Sequence, residues 1–343
     1  MVEKLSIFVT AGGFSGPLHP YADLDQTARI AERAEDADIA VFPFDTRVVV
    51  RNESALRRLQ KLVRDNKFQN ALGTVIFLDH DHPTRLAELF GPGSVTIRPS
   101  MLPGIQSEAE WACPALLNKA ELKTMPPVIW ASSPRVGFVG SANPATHYSL
   151  IRDQSMANVQ AKGYSKVPEN EKEVFPSPFD LGAILRKKIL DVIERSNALD
   201  TRIVRRDLYF EHVDKTIRPK FHEDFIENLE WSHYVICVRG AGNFSIRLFE
   251  VLAAGRIPII LDSGMAMPCD DVIDWRDVGL WFSMRDLDTL AERIAEYHQS
   301  LGPAGLERRA SKNREIWQNY LSLEGFRRYV TSRLVAESRR GDS

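Results

Sequence analysis

Several features that would indicate common classes of protein are missing from this sequence. Only three cysteines are spread over 343 residues, too few and too scattered for a disulfide framework or a zinc knuckle. No window reaches about 18 uninterrupted apolar residues, so no transmembrane segment is predicted. The first residues lack the basic stretch, the apolar stretch and the small-residue cleavage site of a signal peptide. We therefore expect a cytoplasmic protein.

An excess of charge of either sign is also missing. Lys and Arg number 44 and Asp and Glu 46, which leaves a formal net charge of −2. Because no overall basic field is present to attract nucleic acid, we expect no nucleic-acid partner. The arginines within 326–340 leave weak peripheral contact with an anionic membrane open, although a helix packed on the core is the favoured interpretation.

Short apolar runs alternate with helical patterns along most of the chain, which is typical of an α/β protein with mostly parallel sheets. The length suits two domains rather than one. We predict Rossmann-like domains at 1–127 and 128–305, followed by a helical segment at 306–343. In the first hundred residues the predicted strands are Leu5–Thr10, Ile39–Phe44, Thr74–Leu78 and Val95–Arg98, and the predicted helices are Asp25–Glu35, Glu53–Asn66 and Thr84–Phe90.

The most informative stretch runs from Tyr234 to Asp262. An apolar strand ends at Arg239, and Gly240 and Gly242 form a turn that lets backbone amides approach a ligand closely. Asn243 or Ser245 can cap the helix that follows. The N-terminus of such a helix presents unpaired N–H groups and a positive dipole end, which together favour phosphate.

The same helix carries a charged pair. Arg247 and Glu250 are three residues apart and so share a helix face, and Arg239 and Arg247 offer charge-assisted donors near the proposed phosphate. A carboxylate in this place can accept two hydrogen bonds from vicinal hydroxyls such as those of a ribose. Each feature has a plainer interpretation: the glycine turn could be only a turn, and Arg247 and Glu250 could form an ordinary surface ion pair.

A second polar cluster, Asp79-His-Asp-His82, follows the predicted strand Thr74–Leu78. His and Asp are metal-ligand types, but a metal site would need ligands from distant segments as well. A solvated loop and a role facing an acceptor are the alternatives. If an N-terminal group acts as a base toward an acceptor hydroxyl, Asp79, His80 and Asp81 are the first candidates.

The run Val238-Arg-Gly-x-Gly-Asn-Phe-Ser-x-Arg-Leu-Phe-Glu250, with Ala-Gly-Arg-Ile-Pro-Ile-Ile after it, resembles the exostosin-like glycosyltransferases. Upstream, Phe138-Val-Gly140 and the helix Leu185-Arg-Lys-Lys-Ile-Leu190 resemble the start of that family's donor half. The resemblance is dense over about 220–280 and sparse over the first 130 residues. It implies a GT-B architecture of two facing Rossmann-like domains with parallel sheets and a long C-terminal helix.

The resemblance also implies a function. The chain would move a sugar from a UDP- or GDP-linked donor to a glycan or another hydroxyl acceptor, with the acceptor side in the first domain and the donor side in the second. Glu250 would bind the ribose, and Arg239, Ser245 and Arg247 would lie near the diphosphate. The implied donor-binding residues are Gly140, Arg239, Gly240, Gly242, Asn243, Ser245, Arg247 and Glu250.

Two absences bear on this assignment, and the first of them favours it. Many GT-B enzymes carry a second glutamate eight positions before the ribose-binding one, where this sequence has Gly242, so the catalytic residue stays unidentified. No Asp-x-Asp motif lies near the donor segment, so we expect no cofactor and no obligate metal. A non-catalytic glycan- or nucleotide-binding protein of the same fold, and a metal-dependent hydrolase built on Asp79–His82, remain as alternatives.

Overall fold

The structure is a computed structural model. It describes residues 6–9, 19–22, 24, 28–32, 36–42, 53–65, 74–77, 94–101, 107–117, 119–142, 178–207, 214–240 and 242–340. The chain divides into two compact units. One comprises Met1–Leu116, Ala266–Cys269 and Asn319–Ser343, and the other comprises Leu117–Met265 and Asp270–Gln318.

The first unit contains a six-stranded sheet in the order β2-β1-β3-β4-β5-β6, in which every pair of neighbours is parallel. Tyr21 packs edge-on against Phe326 of the C-terminal helix, with 4.7 Å between ring centroids. The elements are β1 (Ser6–Val9), β2 (Arg29–Ile30), β3 (Ile39–Phe42), α1 (Glu53–Asp65), β4 (Thr74–Phe77), β5 (Ser94–Arg98), β6 (Glu110–Ala112) and, from the end of the chain, α7 (Leu323–Arg340).

The second unit contains a five-stranded sheet in the order β11-β10-β9-β7-β8, again parallel throughout. Its strands are β7 (Arg135–Ser141), β8 (Asp200–Arg206), β9 (Tyr234–Cys237), β10 (Ile257–Leu261) and β11 (Leu280–Phe282). Its helices are α2 (Ala120–Lys123), α3 (Pro178–Arg195), α4 (Arg218–Trp231), α5 (Ile246–Ala253) and α6 (Leu290–Ile316).

Alternation of apolar residues places the core of this second unit. Side chains of every second strand residue point to one face of a sheet, and on one face they pack against apolar positions of α3 and α6. Residues of the strands in this cluster include Val136, Phe138, Tyr234, Ile236, Ile257 and Ile259, and residues of the helices include Leu185, Ile189, Ile193, Leu290 and Ile294. This packing fixes the ends of β7, β9 and β10, where the candidate site lies.

The predicted α/β class with two parallel sheets and C-terminal helices is confirmed. The four strands predicted in the first hundred residues are present, each with ends within two residues of those predicted. The helix predicted at Asp25–Glu35 is wrong, because Arg29 and Ile30 pair with Ser6 and Ile7 as β2. Pairing with a distant strand outweighed the local helical spacing there. The predicted helix at Thr84–Phe90 lies outside the described residues.

The boundaries of the two compact units differ from those of the predicted domains. The first unit ends at Leu116 rather than at 127, and it includes Asn319–Ser343. Within α6 the backbone leaves the helical conformation at Gly302, where φ is 59°, shortly before the helical segment predicted at 306–343. A left-handed backbone favours glycine, and Pro303 follows directly, so this is where the helical path bends.

Candidate functional site

Hydrogen bonds of side chains within and next to the loop after β9 stabilise its conformation. Arg239 and Asn243 are both buried, and Arg239 Nη1 donates to Asn243 Oδ1 at 3.1 Å. Ser263, in the loop after β10, donates from Oγ to the same oxygen at 2.9 Å. The Gly240 N–H donates to the Phe244 carbonyl at 2.9 Å. The guanidinium of Arg239, which was predicted to face a ligand, therefore also stabilises the loop.

Arg186 of α3 ties this loop to the end of β7. Its Nη2 donates to the Arg239 carbonyl at 2.8 Å, and its Nη1 donates to the Ser141 carbonyl at 3.0 Å. Arg186 is buried, and a buried guanidinium is stable only when such acceptors surround it. The sequence pointed to the helix that contains Arg186 but gave no role to this residue.

Gly182, one turn before Arg186 on α3, lets the helix approach the loop closely. A Cβ at this position would lie 2.7 Å from both the Arg239 and the Gly240 carbonyl oxygens. Neither oxygen can move without moving the loop backbone. Gly182 is thus required by the packing of α3 on the loop, not by its own backbone conformation.

We expect Gly182→Ala to lower the free energy of unfolding by about 1–3 kcal/mol, the usual cost of overpacking. Hydrogen exchange of the 239–245 amides should also become faster. Gly305→Ala on α6 is a matched control, because its Cβ would meet only side chains, those of Leu301 and Arg308. Chemical denaturation and hydrogen-exchange mass spectrometry measure both effects. Wild-type stability and loop exchange in Gly182→Ala would contradict this packing argument.

The N-terminus of α5 follows this loop. Ser245 is the N-cap residue, but its side chain makes no capping hydrogen bond to the helix, contrary to the predicted cap. Its Oγ is buried and has no hydrogen-bond partner within the part of the chain that the structure describes. A buried hydroxyl without a partner is costly. Beside the N–H groups of a helix start, such a hydroxyl suits an anionic ligand.

Glu250 lies one turn further along α5 with its side chain 6% exposed. Arg247 Nε is 3.0 Å from Glu250 Oε2, and Lys119 Nζ contacts Oε1. Arg247 is held from a second side, because its Nη2 donates to the Val139 carbonyl at 2.9 Å. Arg247 and Glu250 therefore share a helix face, as predicted, and they also form an ion pair there.

Phe225 of α4 supports both cations of this cluster. The Lys119 Nζ is 4.4 Å, and the Arg247 guanidinium carbon 4.2 Å, from the centroid of its ring. Cations are attracted to the face of an aromatic ring, more strongly where water is excluded. Neither Lys119 nor Phe225 was singled out in the sequence, and nothing in local spacing would have found them.

The electrostatics of the cluster keep Glu250 ionised. Burial alone would raise the pKa of its carboxyl, but the charges of Arg247 and Lys119 and their hydrogen bonds hold that pKa below the usual value. Cys237, at the end of β9, is fully buried, and burial raises the pKa of its thiol. The thiol is therefore neutral, as expected for a structural cysteine.

The predicted donor-binding residues lie around the carboxyl ends of β7 and β9 in the second unit. Val139 and Gly140 lie near the C-terminal end of β7, and Gly240 and Gly242 lie in the loop after β9. Ser245 is the N-cap residue of α5. Ligands of open α/β sheets bind at such strand ends. Asp79, His80 and Asp81 lie outside the described residues. No group of three or more His, Cys, Asp or Glu residues among those described could hold a metal ion.

Comparison with known proteins gives a result that agrees with this geometry. Residues 182–297, which include most of α3, the loop and α5, match the family model of the Exostosin GT47 domain. The exostosin-like resemblance predicted from the sequence is confirmed over this segment.

Two curated relatives each match a part of the chain. Exostosin-1 of Drosophila melanogaster is 24% identical over 115 residues, which are 34% of this chain and 15% of that protein. A probable beta-1,4-xylosyltransferase of Arabidopsis thaliana is 30% identical over 73 residues, 20% of this chain and 18% of that protein. The chain thus spans less than a fifth of the length of either relative.

Among solved structures, HepE of Anabaena in complex with UDP aligns with 97% of this chain and 100% of its own at 11% identity and a TM-score of 0.42. Because this TM-score is low, the fold is assigned from the two parallel sheets described above and not from the alignment. Each helix among the described residues is too short or too polar to span a lipid bilayer.

Proposed function

We propose that the chain is a glycosyltransferase that moves a sugar from a UDP- or GDP-linked donor to a hydroxyl of a glycan or another acceptor. The observation that carries the proposal is the arrangement on α5. A buried hydroxyl without a described partner stands at the helix start, and an ionised, buried carboxylate stands one turn further on. These two groups suit the diphosphate and the ribose of one nucleotide.

Glu250 keeps acceptor capacity for a ribose. Each carboxylate oxygen can accept about two hydrogen bonds, and the described contacts supply one cation to each oxygen. Two vicinal hydroxyls can therefore donate to the remaining acceptor positions of the carboxylate while both cations stay in place. Gly140, Gly240 and Gly242 would line the nucleotide where the backbone must approach it.

Arg247 is the group best placed to stabilise the leaving diphosphate. Its side chain is 23% exposed, lies on the first turn of α5 and is oriented by Glu250 and Val139. Negative charge on the diphosphate grows as the glycosidic bond breaks, so a preoriented cation stabilises the transition state more than the bound donor. Arg239, which is buried against Asn243, would act mainly by holding the loop amides in place.

The proposal includes no obligate metal, because the cations of the site come from side chains. The base that accepts the acceptor proton is proposed among Asp79, His80 and Asp81. The division of labour between an acceptor side at 1–127 and a donor side at 128–305 is part of the same proposal.

We expect release or transfer of sugar from a UDP- or GDP-linked donor to be unchanged in excess EDTA. Measurement of UDP and GDP formation from a panel of nucleotide sugars, with and without EDTA, tests this. Arg247→Ala purified in the same way controls for contaminating hydrolases, and its turnover should fall roughly 100-fold, the usual loss for one charge-stabilising donor. Activity abolished by EDTA and restored by Mn²⁺ would refute the metal-free mechanism. Nucleotide binding without turnover would indicate a binding protein.

A further inference from the structure

Lys119 is the residue of the Glu250 cluster that the sequence motif does not contain. It lies 131 positions before Glu250 along the chain, immediately before the short helix α2. Its ammonium group contacts Glu250 Oε1 and the ring of Phe225. The partner on Oε2, Arg247, belongs to the same helix as Glu250.

The two cations hold the carboxylate from two different segments. A carboxylate with a single partner can rotate about its last side-chain bond, a torsion with broad minima. Glu250 has one cation on each oxygen, and both cations rest on Phe225. The plane of its carboxylate is therefore defined by α2, α4 and α5 together.

We infer that Lys119 is a positioning residue of the proposed donor site, which keeps Glu250 ionised and oriented for the ribose hydroxyls. The inference depends on the proposed function only for the identity of the ligand. Lys119 acts through Glu250, so its contribution to nucleotide binding should disappear when Glu250 carries no charge. An ordinary ion pair that only adds stability would not have this property.

The charged surroundings of Glu250 show what Lys119 removal would change. The described groups that interact electrostatically with Glu250 are Arg247, Lys119 and the Cys237 thiol. In turn, Arg206 interacts electrostatically with Arg247. Glu121, which pairs with His222, interacts electrostatically with Lys119. Without Lys119, only Arg247 of these two cations would still offset the burial of the Glu250 carboxylate, whose side chain is 6% exposed. The pKa of Glu250 in the folded protein would then rise.

The sign of the effect on stability follows from this shift. In the wild type the pKa of Glu250 is lowered by folding, so its contribution is present above the unfolded pKa and is lost as pH falls through the folded one. Lys119→Met raises the folded pKa. The variant should therefore be less stable near pH 7–8, where Glu250 is ionised, and this deficit should shrink as pH falls toward 4.

A double-mutant cycle of Lys119→Met and Glu250→Gln tests the inference. Without ligand, the deficit in melting temperature caused by Lys119→Met should depend on pH in the wild-type background and become small and independent of pH in the Glu250→Gln background. With UDP or GDP as the probe in titration calorimetry, Lys119→Met should weaken binding roughly 3- to 10-fold, and only where Glu250 is present. Lys119→Arg should restore most of the affinity.

Lys123→Met provides a matched control. Lys123 is four residues further on in α2, and its ammonium group lies 5.6 Å from the Trp317 ring centroid. It should change neither the pH profile nor the nucleotide affinity. Equal deficits from Lys119→Met in both backgrounds at every pH would overturn the inference. If Glu250→Gln leaves nucleotide affinity unchanged, the proposed ribose contact fails and with it the positioning role of Lys119. If Glu250→Gln weakens binding but Lys119→Met does not, only the inference about Lys119 fails.

Discussion

Glu250→Gln is expected to weaken binding of UDP or GDP by roughly 10- to 150-fold. A charge-assisted hydrogen bond contributes about 1.5–3 kcal/mol, which corresponds to that range in affinity. Glutamine has nearly the same shape but offers one acceptor oxygen, and it is neutral between Arg247 and Lys119. Titration calorimetry with each nucleotide, at a temperature where the variant is fully folded, measures the change.

The control for this prediction is Glu292→Gln. Glu292 lies in the first turn of α6 and is exposed, so its replacement should leave nucleotide affinity within error of the wild type. Glu250→Gln should also lower the melting temperature, because two cations lose their buried counter-charge. A variant that is destabilised but binds UDP and GDP as tightly as the wild type would remove Glu250 from the ribose contact.

Arg256→Met is expected to cause the largest loss of stability, on the order of 3 kcal/mol or more. Arg256 is 1% exposed and donates to the carbonyls of Leu229, Glu230, Pro126, Ala254 and Gly255 at 3.0–3.2 Å. Burial lowers its pKa to about 10, so the guanidinium stays charged at neutral pH. Each buried carbonyl left without a donor costs about 1–3 kcal/mol unless water reaches it.

These carbonyls link the end of α5 to the end of α4, so the loss should also loosen the helix that carries Glu250. Urea denaturation at constant pH gives the free energy of unfolding. Arg276→Met is the matched control, since the Arg276 side chain is 68% exposed and pairs with Asp262 at the surface. Such a pair contributes about 1 kcal/mol at most. Similar midpoints for the two variants would mean that the carbonyls find other donors, and the prediction would be wrong.

The elements that spacing predicted well are those whose pattern is local. The strand β9 (Tyr234–Cys237) lies within the apolar run predicted to end at Arg239, and α5 (Ile246–Ala253) lies where a helix was predicted to follow the glycine turn. Prediction was weaker where a distant partner decided the outcome. Arg29–Ile30 forms an edge strand because β1 pairs with it. Ile246, the apolar first residue of α5, is 48% exposed, whereas Leu248 and Phe249 of the same helix are buried.

Side-chain roles divide in the same way. Arg247 and Glu250 were predicted to share a helix face, because residues three apart on a helix are neighbours. Arg239 was correctly placed at a strand end, but its hydrogen bond to Asn243 depends on how the loop folds back. The Ser245 hydroxyl, for which the described part of the chain offers no hydrogen-bond partner, could not be inferred either, since the residue type and position are those of an ordinary N-cap.

The sequence by itself determined the α/β class, the glycine loop between β9 and α5, the shared helix face of Arg247 and Glu250, and the exostosin-like resemblance. All of these features follow from residue types at short, regular spacings along the chain. Only the tertiary structure decided that Lys119 completes the cluster around Glu250 and that Arg186 and Gly182 shape the loop. Their contacts join segments about 50 to 131 residues apart, and no local periodicity encodes such a distance. Packing of α2, α3 and α4 against α5 and its loop brings these groups together.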